Sequence, residues 1–464
     1  MLRRCLSLLL LLAAPVLLHA ETQSVFALTG ATVHPVSGGA IANGTVVVRD
    51  GLIEAVGAGV AIPPDATVIE VKGAHVYPGL IDAQTTLGAP SAPARRRGPS
   101  GGGQSTPAQQ EQPPELTAAS LASRSLRISD DDLDARRATG VATILTAPNY
   151  GIFNGQSVVL NLGAGNLESR VIRNPATMQI AFNPRPTWTY PDSMMGVVTY
   201  IRQTLMDAQQ QSAARSIYER APAGQKRPEE SEALAALGPV LRRELLTVFF
   251  ADTDLAMRRA QAIAREFNLR YAIAGGRQAY RMADELKNVP LLVSVKWPTA
   301  PAAKEDREEQ PLRVILDRKL SPTTPAVLAK AGALFALVSG PGRTADFLPG
   351  IRTAIENGLA AADALRAVTL SPARILGIDR QIGSIERGKI ANLIVTDKPL
   401  FEKQSKVTRM FIDGREIRLP SEEASTRAAA APASPIDGGW NLTVRTPQGD
   451  AAIRVTLHLE DGKV

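Results

Sequence analysis

Val76-Tyr77-Pro78-Gly79-Leu80-Ile81-Asp82-Ala83-Gln84-Thr85-Thr86 decides the fold. An apolar run reaches Pro78-Gly79, the pair that fixes and then frees the backbone, and Leu80-Ile81 resumes as a buried strand. Side chains alternate faces along a strand, so Gln84 and Thr86, one residue apart, project the same way at its C-terminal end. Whatever lies beyond that end meets a neutral amide and a hydroxyl.

Outward from this stretch, short β segments precede it: Phe26 to Val33, Gly44 to Gly57 and Val68 to Val71. Asp50-Gly51 between apolar runs predicts a two-residue hairpin. The same character returns at Gly388 to Thr396 and Val407 to Arg415. One small β domain built from both chain ends follows. Between them, apolar strand-like runs alternate with helical periods. The strand candidates are 79–81, 141–145, 246–250, 269–274, 291–295 and 333–338; the helical periods are clearest at 255–267, 278–286, 325–331 and 347–357, with a short helix at 361–368. The expected class is α/β: a TIM-type (β/α)8 barrel, incomplete or distorted in places, plus a small composite β-sandwich from both chain ends.

The expected organisation is a signal peptide (1–20), a first β-sandwich part (21–77), the barrel (78–376) and a second β-sandwich part (377–419). A linker (420–435) and a β-hairpin (436–464) follow. Residues 89–115 and 298–311 read as disordered insertions, rich in Pro, Gly and charge. The hairpin is either packed on the barrel or part of a truncated C-terminal β domain.

The chain has 464 residues, 44% hydrophobic, enough for one large α/β domain with smaller ones. Met1 to Arg4 is basic, Leu6 to Leu18 is apolar, and Leu18-His19-Ala20 resembles a cleavage site. This implies a periplasmic or secreted protein, with no stable membrane insertion once the signal is removed; the competing reading is an uncleaved anchor. The single cysteine, Cys5, lies inside that leader, so the mature chain holds no thiol, disulfide or cysteine metal site. Net charge is +7, and +5 without Arg3 and Arg4 (7 − 2). With aromatics at 4%, no basic-aromatic surface for bases is apparent, and nucleic acid is not expected as a partner.

Several phrases, in order and spacing, resemble the imidazolonepropionase-like branch of the amidohydrolase superfamily. They are Gly51 to Gly57, Val76 to Ala83, Gly151 to Ser157, Thr369 to Gly377 and Ile382 to Val395. The resemblance implies a barrel and β domain that use zinc or another divalent metal to hydrolyse carbon–nitrogen bonds in amides, lactams or cyclic ureas. Such a site needs a His-x-His after the first barrel strand, a mid-barrel Lys or Glu, two further His, and an Asp after the last strand. The metal acidifies a water and the Asp shuttles its proton.

Here the His-x-His positions are Gln84 and Thr86. The later ones fall at Ala251 or Asp252, at Gly275, and at Gly340, where Ser339 is followed by glycine instead of Asp. Of four histidines, His19 is in the leader, His34 and His75 are in the β region, and His458 is in the terminal hairpin. The metal site is thus read as degenerate, with no catalytic residue and no cofactor assigned. Asp82, Gln84, Asp252 and Asp254 could instead gather a hard cation, or serve strand-end turns and a helix cap.

A different site is legible just after the strands. Gly275-Gly276-Arg277, Lys296-Trp297 and Ser339-Gly340-Pro341-Gly342-Arg343 carry glycines and cations on the face where such barrels bind ligands. Arg277, Lys296 and Arg343, with Gly276 and Gly342, are the candidate ligand-binding residues; the competing reading is ordinary turns with solvated side chains. Gly151 to Ser157 is either a loop over this face or a tight hairpin. Two functions stay open. One is a catalytically silent amidohydrolase-like protein that binds a small anionic ligand or an active amidohydrolase paralogue. The other is a carbon–nitrogen hydrolase with a non-standard site.

Overall fold

Asp50 and Gly51 adopt φ of 53° and 81°, the positive pair a two-residue hairpin turn demands. The computed structural model describes residues 25–89, 116–184, 190–301, 310–340, 346–419, 438–446 and 449–457. The turn joins β2 (Ile41–Arg49) to β3 (Leu52–Ala58), with Arg49 opposite Leu52. On the other side of β2 lies β1 (Val25–Val33), which also takes β4 (Thr67–Glu70) and β5 (His75–Pro78) in parallel.

The chain then enters the barrel. Strand β6 (Leu80–Thr85) runs parallel to β7 (Val141–Thr146). Helix α1 (Asp130–Ala138) leads into β7; Ser129 caps it by accepting from Asp132 N, and three aspartates fill its first turn. Strands β8 (Phe153–Gln156) and β9 (Val158–Asn161) follow, and β10 (Val171–Arg173) pairs with β9. Then β11 (Thr177–Ala181), β12 (Leu246–Ala251), β13 (Tyr271–Gly275), β14 (Leu291–Ser294) and β15 (Phe335–Val338) run parallel in order.

The Phe153–Asn161 stave joins the two sheets: β9 pairs antiparallel with β7, and β8 antiparallel with β11. At the opposite seam Gly340 N donates to Gln84 O at 3.0 Å, tying β15 back to β6. The arrangement is TIM-barrel-like, with one stave running against its neighbours. The sequence left Gly151 to Ser157 as a loop or hairpin; the structure makes its centre a barrel strand instead. Every residue of β8 and β9 is buried, so the polar alternation that advertises a strand is missing.

Helices α2 (Met194–Arg220), α3 (Asp254–Glu266), α4 (Leu312–Leu320), α5 (Thr324–Ala331), α6 (Phe347–Glu356), α7 (Ala361–Ala367) and α8 (Leu370–Leu376) complete the barrel layer. The helix expected over 278–286 is absent. A 3-10 turn, Ala279–Arg281, is followed by further tight turns that still bury Met282, Ala283 and Leu286. Ile81, Leu145, Val248, Leu292 and Val338 pack in one core with Ile375 and Leu376 of α8.

The return segment supplies β16 (Leu393–Thr396), β17 (Val407–Ile412) and β18 (Arg415–Ile417). Strand β16 pairs with β5, completing an eight-stranded sheet in the order β18-β17-β16-β5-β1-β2-β3, with β4 on β1. The β domain is composite, as expected. It is one curled sheet rather than a sandwich of two: Phe26 on β1 stacks on Phe411 of β17 at 4.7 Å, across two intervening strands. Asp413 and Gly414, at φ 52° and 69°, form a second Asp-Gly turn, and a Cβ on Gly414 would fall 2.4 Å from Gly51 Cα. The two turns pack glycine to glycine.

A separate compact unit spans Leu419–Val464. It holds the expected hairpin, β19 (Gly438–Thr446) antiparallel to β20 (Gly449–Leu457). The leader (1–20), most of the 89–115 insertion, the linker 420–435, His458 and residues Gly342 and Arg343 lie outside the described residues. No described helix is long and apolar enough to cross a membrane.

Candidate functional site

The C-terminal ends of the barrel strands enclose a cavity of about 470 Å³. Its walls include Gln84, Asp252, Gly275, Arg277, Lys296 and Gly340, so the chain brings together six of the positions singled out in the sequence. Thr86 is not among the lining residues. It sits in the turn after β6, where its carbonyl accepts from Ala89 N at 3.0 Å.

Each wall residue has a local cause. Gln84 is 2% exposed; its Nε2 donates to Gln179 Oε1 at 3.4 Å, and Gln179 Nε2 donates to Thr177 Oγ1 at 2.6 Å. Gln84 Oε1 is buried with no hydrogen-bond partner. Asp252 follows β12, and its carbonyl accepts from Gln278 N at 2.9 Å. The helix cap expected of Asp252 and Asp254 belongs to Thr253, whose Oγ1 accepts from Ala256 N, while Asp254 is the first helical residue. Lys296 is presented by a strand end that Trp297 pins, its Nε1 donating to Gly350 O at 2.8 Å.

Beneath the cavity, Asp82 is fully buried. Its Oδ2 accepts from Arg136 Nη1 at 2.7 Å, and its Oδ1 from Ser339 N at 3.0 Å. Burial holds the Asp82 carboxyl above its ordinary value, against the opposing pull of Arg136 and Ser339. Asp82 is therefore committed to holding β6, β15 and α1 together and is not free to ligate a cation.

The residues present do not fit the divalent metal that the fold family implies. The wall offers one carboxylate, Asp252, and three amides, Gln84, Asn149 and Asn183, with no imidazole. Among the described residues no group of three or more His, Cys, Asp or Glu could hold a metal ion. The two glycines add no donor side chain and leave little room for one. Gly275 has φ +97°, and a Cβ there would fall 2.6 Å from Asp252 Oδ1; Gly340 has φ +65°, with Ser294 Oγ 3.1 Å from the same point. A side chain at either position would be strained by the positive φ.

What the cavity offers instead is positive charge. Arg259 of α3, Arg277 and Lys296 face a single carboxylate, Asp252. Arg277 Nε lies 3.5 Å from Asp317 Oδ2 but makes no hydrogen bond, a loose pairing. Arg259 was missed in the sequence, because an arginine inside an amphipathic helix looks like any solvated one. Asn149, Asn183 and Gln179 were missed too, being polar residues in stretches without a motif.

The sequence profile of the amidohydrolase family matches residues 309–417. An amidohydrolase from Thermotoga maritima superposes with a TM-score of 0.71 at 25% identity, over 85% of this chain and all of that one. This chain carries an amidohydrolase-family domain. A putative prolidase from Bifidobacterium longum gives 0.53 at 16% identity, over 87% of this chain and 98% of its own. A prolidase complexed with N-methylphosphonate-L-proline gives 0.52 at 18%, over 86% and 100%. These two likenesses show the amidohydrolase fold alone. The barrel mouth described above is the face on which TIM-barrel enzymes place their active sites.

Proposed function

We propose that this protein is a catalytically silent amidohydrolase-fold protein whose barrel mouth binds a small acidic ligand. The observation that carries the reading is the wall of one cavity. Gln84, Asp252, Gly275 and Gly340, which the sequence resemblance matches to the family's ligands and proton shuttle, line it together with Arg259, Arg277 and Lys296. Metal-activated water needs imidazoles or several carboxylates around one point, and this wall supplies neither. Cations in a partly enclosed pocket favour a carboxylate, which guanidinium groups grip in a bidentate manner.

Titration of the purified protein with succinate, followed by calorimetry, tests this. Saturable binding that weakens by about tenfold or more in Arg259→Ala and in Lys296→Ala is expected. Stoichiometric zinc, nickel or manganese in the purified protein, together with amide or lactam turnover, would sink the silent reading. Absence of binding by succinate, phosphate and citrate would remove the acidic ligand.

A further inference from the structure

A second, larger cavity of about 650 Å³ lies away from the barrel mouth, between the β domain and helices α6 and α7. Its walls are apolar: Val36, Ile355, Leu365, Leu400 and Phe401 are among them. One wall is aromatic. His34 stacks on Tyr77 with centroids 4.3 Å apart and planes 8° from parallel, and His75 backs His34 with its Nδ1 3.1 Å from His34 Nε2. Burial first, and His75 second, keep the His34 imidazole below its ordinary pKa, which disfavours a charge on this ring. Glu402 and Arg366, one charge of each sign, complete the lining, and Arg366 already pairs with Asp363 at 3.2 Å.

Val36 adds an independent sign. It adopts φ +72°, a conformation a β-branched residue resists. The backbone is forced there from both sides. His34 N donates to Val76 O at 2.8 Å, Ile385 N donates to Pro35 O at 3.1 Å, and the Ser37 side chain hydrogen-bonds Glu386. Strain held this firmly at a cavity wall is characteristic of ligand clamps. The volume and the few polar handles match small-molecule pockets. Tyr77 accepts from Leu400 N at 3.3 Å and keeps its own hydroxyl proton to donate.

We propose that this cavity is a second binding site, for a neutral, ring-bearing molecule that lies against His34, Tyr77 and Phe401 and makes one hydrogen bond through a hydroxyl or carbonyl group. Neutrality follows from the lining, whose two charged residues, Glu402 and Arg366, are exposed and of opposite sign, so that an ion of either sign gains little there. Preference for an aromatic ring follows from the His34–Tyr77 stack.

Fluorescence titration of the full chain with 2-naphthol is the test. One saturable site per chain is expected, weakened by about tenfold or more in Ala362→Trp, which fills the cavity, and in Leu365→Gln. Lys296→Ala should leave 2-naphthol binding unchanged, which separates this site from the barrel mouth. Decahydro-2-naphthol, the saturated analogue, should bind about five- to tenfold more weakly, consistent with the worth of one ring contact. Non-saturable binding, or binding that survives both substitutions in folded protein, overturns the site. Equal affinity for the saturated analogue overturns its aromatic selectivity.

Discussion

Two buried polar clusters in this molecule are built to opposite standards. At the junction of barrel and β domain, Asn161 Nδ2 donates to Asp413 Oδ1 at 2.6 Å. Its Oδ1 accepts from Thr143 Oγ1 at 2.7 Å and from Asn392 Nδ2 at 2.9 Å. Asn392 Oδ1 in turn accepts from Asp413 N at 2.9 Å. At the barrel mouth the side-chain series Ser157–Thr177–Gln179–Gln84 ends in an amide oxygen without a partner. A cluster whose members are all paired holds parts together; one that ends unpaired at a cavity keeps an acceptor for whatever enters it. The first is scaffold, and the second leaves an acceptor open at the cavity.

Three substitutions can break or sharpen that contrast. The largest effect is expected below the mouth, where Arg136→Met leaves the Asp82 carboxylate buried without its ion partner. A loss of about 3–5 kcal/mol in urea-unfolding free energy is expected. A loss near zero would mean Asp82 is held protonated and that the pair is not structural. Next, Asn392→Leu removes one of the two donors to Asn161 Oδ1 and strands Asp413 N, and a loss of about 1–3 kcal/mol is expected by the same measurement. The smallest effect is expected at Gln84→Met, which replaces an amide that is only weakly bonded. Its unfolding free energy should stay within about 0.5 kcal/mol of the parent. A cost at Gln84 equal to that at Asn392 would erase the distinction between the two clusters.

The fold was legible because its signals are local. Asp50-Gly51 and Val76 to Ala83 specify their turns and strand through residues adjacent in sequence, and four of the five expected helical segments lie within a residue or two of helices. The β8–β9 stave escaped because strands buried on both faces carry no alternation, and the 278–286 segment misled because apolar spacing is the same for a helix and for successive tight turns. The candidate site was half legible. Gln84, Asp252, Gly275, Gly340, Arg277 and Lys296 could be placed because each follows a recognisable strand, and the structure gathers them. Arg259 could not, since only the packing of α3 beside β12 turns it toward the cavity. Neither could the second cavity, whose walls come from residues as far apart as Val36, Tyr77, Leu365 and Phe401.

The pairing of β5 with β16 has a consequence for how the polypeptide is made. Tyr77 and Ile394 lie opposite each other in that pairing, so the β-domain sheet cannot be completed until the last part of the barrel segment has been synthesised. Until then the emerging chain carries β5 with one side of its backbone donors and acceptors unmatched, an open template for another copy. Such long-range closure is slow and favours association between incomplete chains. A translation product stopped before Leu393 is therefore expected to accumulate as aggregate, whereas one that reaches Ile417 has every strand needed to cover that edge.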